Sequence, residues 1–186
     1  MRASAAIPIV RPILPAEEAD LQRFFRSLSP ASRYLRFMMA VGELPEETLN
    51  RFANPEPGRE VALVAISPCA RIIGLAQYVA DEAGDGCEVA IVVGDAWQHR
   101  GLGSCLLREL MVLAIDRGIR HAHADVLADN HAMRALARKL GCELRTNPES
   151  SILVQVSKTL ESPRAAPIRS LAGRTGRDQH YSTVPN

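Results

Sequence analysis

An α/β architecture, with a mixed central sheet flanked by helices, is what the order of apolar periodicities along this chain predicts. Helical stripes come first, β-rich runs joined by short turns follow, and the last third alternates strand with helix. That order places antiparallel neighbours early in the sheet, a β-α-β-α-β stretch late, and helices on both faces.

Ile7 to Leu14 reads as a short strand stopped by Pro15. Leu21, Phe24, Phe25 and Leu28 then recur at helical spacing and mark an amphipathic helix. Ser29-Pro30 starts a second helix, with Ser29 as N-cap and proline in the first turn. Pro45-Glu46-Glu47 opens a third, its acids where the helix dipole favours them, and Asn54-Pro55-Glu56-Pro57-Gly58 breaks it. The period then changes. Val61 to Ile66 and Ile72 to Val79 form a hairpin around Pro68-Cys69-Ala70, and Gly84-Asp85-Gly86 turns into a run from Glu88 to Val93. Leu102, Leu106, Leu110 and Leu113 stripe a long helix that Gly118 ends. His121 to Leu127 is a strand. Asn130 caps a helix with Met133, Leu136, Ala137 and Leu140 inward, Gly141 stops it, and Ile152 to Val156 closes as a strand. The expected organisation is an arm over 1–6, one domain over 7–160, and a flexible tail over 161–186, rich in Ser, Pro, Arg and Gly without periodicity.

The 186 residues suffice for one domain with a full core, and the 47% apolar share is that of a globular chain. No apolar run is long enough for a membrane helix or a signal peptide, so a cytoplasmic protein with no membrane partner is expected. A net charge of +1 gives no pull toward nucleic acid. Only Lys139 and Lys158 are lysines, the other basic side chains all being arginine, which reflects codon usage more than a binding surface. Cys69, Cys87, Cys105 and Cys142 lack metal spacing and read as reduced thiols. His121 and His123 share a strand face but have no third ligand in view, so no metal is expected.

Chemistry is concentrated between Glu88 and Gly103. The apolar strand runs into Gly94-Asp95-Ala96-Trp97-Gln98-His99-Arg100-Gly101-Leu102-Gly103, a turn that opens the long helix. Free N–H groups and the dipole at a helix start make an anion site suited to a pyrophosphate. Gly101 removes a side chain that would block the phosphates, and Gly103 keeps the first helical turn close. There is no third glycine for a dinucleotide fingerprint and no Gly-Lys-Ser/Thr for a P-loop.

This segment resembles motif A of the GNAT superfamily, Gln/Arg-x-x-Gly-x-Gly/Ala after a strand, with Gln98, Gly101 and Gly103 in the matching places. The resemblance continues through Asp125-Val126-Leu127-Ala128-Asp129-Asn130 and Met133-x-x-Leu136-x-x-Lys139-Leu140-Gly141. Ser32-Arg33-Tyr34-Leu35-Arg36-Phe37 is similar to the bacterial protein-lysine acetyltransferase subfamily. It implies an acetyl-CoA-dependent N-acetyltransferase on a GNAT-like sheet whose strands splay at the acetyl-CoA site. Ile91, Val92 and Val93 would pair with the pantetheine arm; Gln98, His99, Arg100, Gly101, Leu102, Gly103 and Ser104 would cradle the pyrophosphate; and Asn130 would bond the arm besides capping its helix.

Glu88, ten positions before Gln98, resembles the placement of the family's glutamate base. The chemistry needs one: a lysine amine with pKa near 10.4 costs about 4.6 kcal/mol to neutralise at pH 7, and a nearby carboxylate can collect that proton during attack. Ala137 stands where many members carry a tyrosine that protonates the leaving thiolate. A thiol of ordinary pKa leaves as the thiolate without such help. A protein lysine is the acceptor expected. A small amine or amino acid is the alternative within the class, and a non-catalytic acyl-CoA sensor the alternative outside it.

Overall fold

The computed structural model describes residues 7–38 and 42–161. The expected arm over 1–6 and, apart from Glu161, the expected tail lie outside the described residues. The elements run β1 (Ile9–Pro12), α1 (Glu18–Ser27), α2 (Pro30–Phe37), α3 (Glu46–Ala53), β2 (Glu60–Ile66), β3 (Ile72–Ala80), β4 (Gly86–Val93), α4 (Leu102–Asp116), β5 (His121–Leu127), α5 (His131–Lys139), β6 (Glu143–Thr146) and β7 (Leu153–Thr159). They build a 7-stranded sheet of order β1-β2-β3-β4-β5-β7-β6. Each neighbouring pair from β1 through β4 is antiparallel, β4 and β5 are parallel, and β5, β7 and β6 are antiparallel again.

Both faces of the sheet are covered. On one, Leu106, Leu110 and Ala114 of α4 pack on Leu63, Ala76 and Tyr78. On the other, Leu21, Phe24 and Phe25 of α1 and Phe52 of α3 pack on Val64, Leu75 and Val92. This double cover explains why β2 reads as a continuous apolar run instead of an alternation. Each fully buried Leu or Phe here contributes about 1.5–3 kcal/mol of burial free energy.

The apolar stripe expected for α4 stands. Leu102, Leu106 and Leu110 are buried, Leu113 packs half-buried against the same core, and Leu107 and Ala114 widen the face. The edge strand β6 was not foreseen between α5 and the last strand. Its burial is intermediate at Leu144 and exposed elsewhere, so it carries no apolar alternation to read. No helix among the described residues is long and apolar enough to cross a membrane.

Candidate active site

The site begins where a strand pair stops pairing. β4 joins β5 at Gly86↔His121, Cys87↔Ala122 and Glu88↔His123, and no further. Meanwhile β5 stays zipped to β7 along its whole length, from His121↔Thr159 to Leu127↔Leu153. From Val89 onward the two central strands therefore separate, and a groove of about 460 Å³ opens between them. The edge of β4 from Val89 to Val93 that faces β5 has no strand partner, so apart from Val93 O, which accepts from Gln98 Nε2, its polar groups can take an extended, amide-bearing ligand. Ile91, Val92 and Val93 lie on this groove, as expected.

At the far end of β4 a single 3₁₀ turn, Asp95–Trp97, leads into the glycine turn. His99 (φ 59) and Gly101 (φ 85) are both left-handed, and α4 starts at Leu102 directly after them. Such reversals gather successive N–H groups around an anion, and the first N–H groups of α4 have no partner within the helix. A Cβ on Gly101 would meet nothing within 4 Å, so the glycine serves backbone conformation there. Gly103 serves packing: a Cβ there would lie 3.1 Å from Leu136 Cδ2 and 3.8 Å from Ile91 Cδ1. Backbone, turn and open strand edge together fit an anionic group at one end and an amide arm along the middle.

The expected cradle residues play different parts. Gln98, His99, Gly101, Gly103 and Ser104 line the groove. The side chains of Arg100 and Leu102 do not: Arg100 lies over Trp97, 5.5 Å from the ring centre, and Leu102 is buried in the core. Both can serve the turn only through their backbone. Gln98 is a strut, its Nε2 donating to Val93 O at 3.1 Å and Ser32 Oγ at 3.0 Å. Asp95, which the sequence did not single out, ties the same corner to α2. It accepts from Ser29 N (2.9 Å), Ser29 Oγ (2.7 Å) and Ser32 Oγ (2.8 Å). Burial pushes its carboxyl upward, but the bonds from Ser29 and Ser32 outweigh it and hold the pKa below the ordinary value. Asn130 lines the groove and caps α5, its Oδ1 accepting from Met133 N at 3.0 Å. The cap uses the oxygen alone, which leaves the amide nitrogen to offer a ligand.

Glu88 occupies the vertex. It is the last β4 residue paired to β5, and its side chain is exposed into two cavities at once. One is the groove. The other, about 470 Å³, lies toward α2 and α3 and is lined by Arg36, Glu47, Arg51 and Gln77. Arg36 is pushed down to about 10 by burial, with the charge of Glu88 acting in the opposite direction. His123, the register partner of Glu88, sits with Nδ1 3.9 Å from Asp81 Oδ2. Sequence reading missed this second cavity. Its one available signal was a polar Gln77 inside an otherwise apolar strand run. Ala137, in place of a tyrosine, is buried and puts no hydroxyl on the groove.

The profile of the acetyltransferase (GNAT) domain family matches residues 10–143, which includes the diverging strands, Glu88 and the glycine turn. The chain belongs to the GNAT acetyltransferase family. It is accordingly an acyltransferase. An acetyltransferase of Pseudomonas aeruginosa is 29% identical over 149 residues, 78% of this chain and 80% of that one. The GNAT domain of S. lividans PAT superposes with a TM-score of 0.77 at 28% identity, over 82% of this chain and 90% of that domain. A phosphinothricin acetyltransferase from Sinorhizobium meliloti, in complex with acetyl-CoA, shares the GNAT fold (TM-score 0.69, 19% identity, 83% of this chain and 89% of that one).

Proposed function

We propose that the protein binds acetyl-CoA in the β4–β5 groove and moves its acetyl group to a primary amine, a protein lysine or a small amine, in the cytoplasm, with Glu88 as general base. The observation that carries this reading is the position of Glu88, where β4–β5 pairing ends and the groove meets a second cavity. The pyrophosphate would rest on the backbone of residues 98–104, and the pantetheine arm would lie along Val89–Val93 and Asn130, with its thioester toward Glu88.

The amine arrives as ammonium and gives a proton to the Glu88 carboxylate. Its freed lone pair attacks the thioester carbonyl carbon; a C–N bond forms, the C–S bond breaks, CoA leaves as thiolate, and the nitrogen gives up its second proton to solvent as the neutral amide forms. Thiolate departure needs no dedicated acid, which accords with Ala137. The lysine acceptor rests on the resemblance of the Ser32–Phe37 segment to the bacterial protein-lysine acetyltransferase subfamily. A second reading, a small amine acceptor, is favoured by the charged lining of the cavity beyond Glu88. The deciding experiment incubates the protein with acetyl-CoA and a panel of lysine peptides and small amines while following thiol release. Amine-dependent release supports the proposal; release at the rate of hydrolysis alone with every amine overturns it.

A further inference from the structure

The cavity on the far side of Glu88 is built for a charged guest. Its floor is sheet, Gln77 and Val79 of β3 beside Ala90 and Glu88 of β4, in register Gln77↔Ala90 and Val79↔Glu88 so that all four side chains share one face. Its roof comes from Arg36 on α2 and from Glu47 and Arg51 on α3. Two roof and floor atoms, Arg36 Nε and Gln77 Oε1, are buried and find no hydrogen-bond partner among the described residues. One is a donor and the other an acceptor, and buried polar groups in native proteins are left so mainly where a ligand or water completes them.

The two arginines differ. Arg51 is already engaged, its Nε 3.4 Å from Glu60 Oε1. Arg36 forms no ion pair among the described residues, and its guanidinium lies 4.8 Å from the centre of the Phe37 ring and 6.0 Å from that of Phe52. The aromatic rings hold the fork in place, so little side-chain freedom remains to be lost when it takes a carboxylate. Burial lowers its pKa only to about 10, so it is cationic at neutral pH.

We propose that this cavity binds the acceptor as a small primary amine bearing a carboxylate, with the carboxylate on Arg36 and the ammonium between Gln77 Oε1 and Glu88. The inference rests on Glu88 as base and on the small-amine reading of the acceptor. Phe37, Phe52, Val79 and Ala90 complete the lining beside the charged groups and suit the short apolar stem between an amine and a carboxylate. An amino-carboxylate matches it charge for charge. Chemistry is unchanged: one ammonium proton passes to Glu88, nitrogen attacks the thioester carbon, the C–S bond breaks with CoA leaving as thiolate, and the second proton goes to solvent. Arg36 is a positioning residue and exchanges no proton.

The test compares 4-aminobutanoate with butylamine, two amines of similar basicity and length, alongside a lysine peptide, on wild type and on Arg36→Met. Wild type should turn over 4-aminobutanoate with kcat/KM about tenfold to a hundredfold above butylamine, the difference residing mainly in KM. Arg36→Met, shown folded by its acetyl-CoA-induced melting shift, should erase that preference, and Arg36→Lys should restore part of it. Equal use of the two amines by wild type would overturn the inference without needing any variant. Glu88-dependent transfer to the lysine peptide with 4-aminobutanoate refused would overturn it too, while leaving the lysine reading standing. Failure of every amine would sink both.

Discussion

The two edges of β4 are made of the same residues and behave in opposite ways. Toward β3 the strand is paired throughout, from Gly74↔Val93 to Ala80↔Cys87. Toward β5 it is paired only as far as Glu88. The paired edge shows that Val89–Val93 is good strand sequence, so the open edge is no failure of β propensity. It is open because β5 follows β7 instead, while the start of α4 and Leu136 of α5 fill the wedge around Gly103. A sheet that withholds pairing at its centre keeps backbone donors and acceptors for a ligand, held rigidly by the pairing on the other side.

The sharpest way to break that comparison is at its vertex. Glu88→Gln keeps the side chain's size and should lower turnover by about 10²- to 10⁴-fold. Acetyl-CoA affinity should barely change, because the paired edge and the glycine turn are untouched. The deficit should shrink at high pH, where more of the amine is already neutral. Steady-state rates across pH, with the melting shift as binding control, check all three. Turnover within a few-fold of wild type would place the base elsewhere.

Next in size is the far end of the open edge. Gly101→Glu puts an L side chain at φ 85 and a negative charge where phosphates are expected. Wild type at 100 times Kd of acetyl-CoA should gain about 2.7 kcal/mol of stability, and a folded Gly101→Glu protein should gain almost none. An undiminished melting shift would remove the pyrophosphate from this turn.

Smaller effects separate ligand contacts from scaffold. Asn130→Ala loses the α5 cap, worth about 1 kcal/mol, and should lower Tm by roughly 2–4 °C. A weaker acetyl-CoA shift beyond that loss would show that Asn130 also touches the ligand. Asp95 has a lowered folded pKa, so the stability it adds is present above the ordinary carboxylate pKa and is lost as pH falls through the folded value. Asp95→Asn should therefore lower Tm by a constant amount at neutral pH and above and flatten the acid limb of the melting profile. The least effect should come from truncation after Leu160, which is buried and donates from its N–H to Arg120 O at 2.7 Å. Acetyl-CoA binding should survive that cut.

Much of this was legible in the chain because local chemistry and fold agree. The caps at Ser29 and Asn130, the hairpin of β2 and β3, and the glycine turn before α4 all stand where short-range signals put them. What stayed hidden depends on tertiary position. β6 is too exposed for periodicity to reveal. Gln98 matches a phosphate-cradle motif, yet spends its side chain bracing α2, a contact 66 residues distant in sequence. Arg36 and Gln77 meet only after α2 has crossed the sheet, so no spacing announces their shared cavity.

The open edge itself can be tested by amide hydrogen exchange on Val89–Val93, with and without acetyl-CoA. The groove-facing amides among them should slow markedly when acetyl-CoA is added, together with those of residues 101–104. Amides of β3, already bonded to β4 and β2, should change little. Unchanged exchange along β4 at saturating acetyl-CoA, with protection appearing elsewhere, would contradict the account.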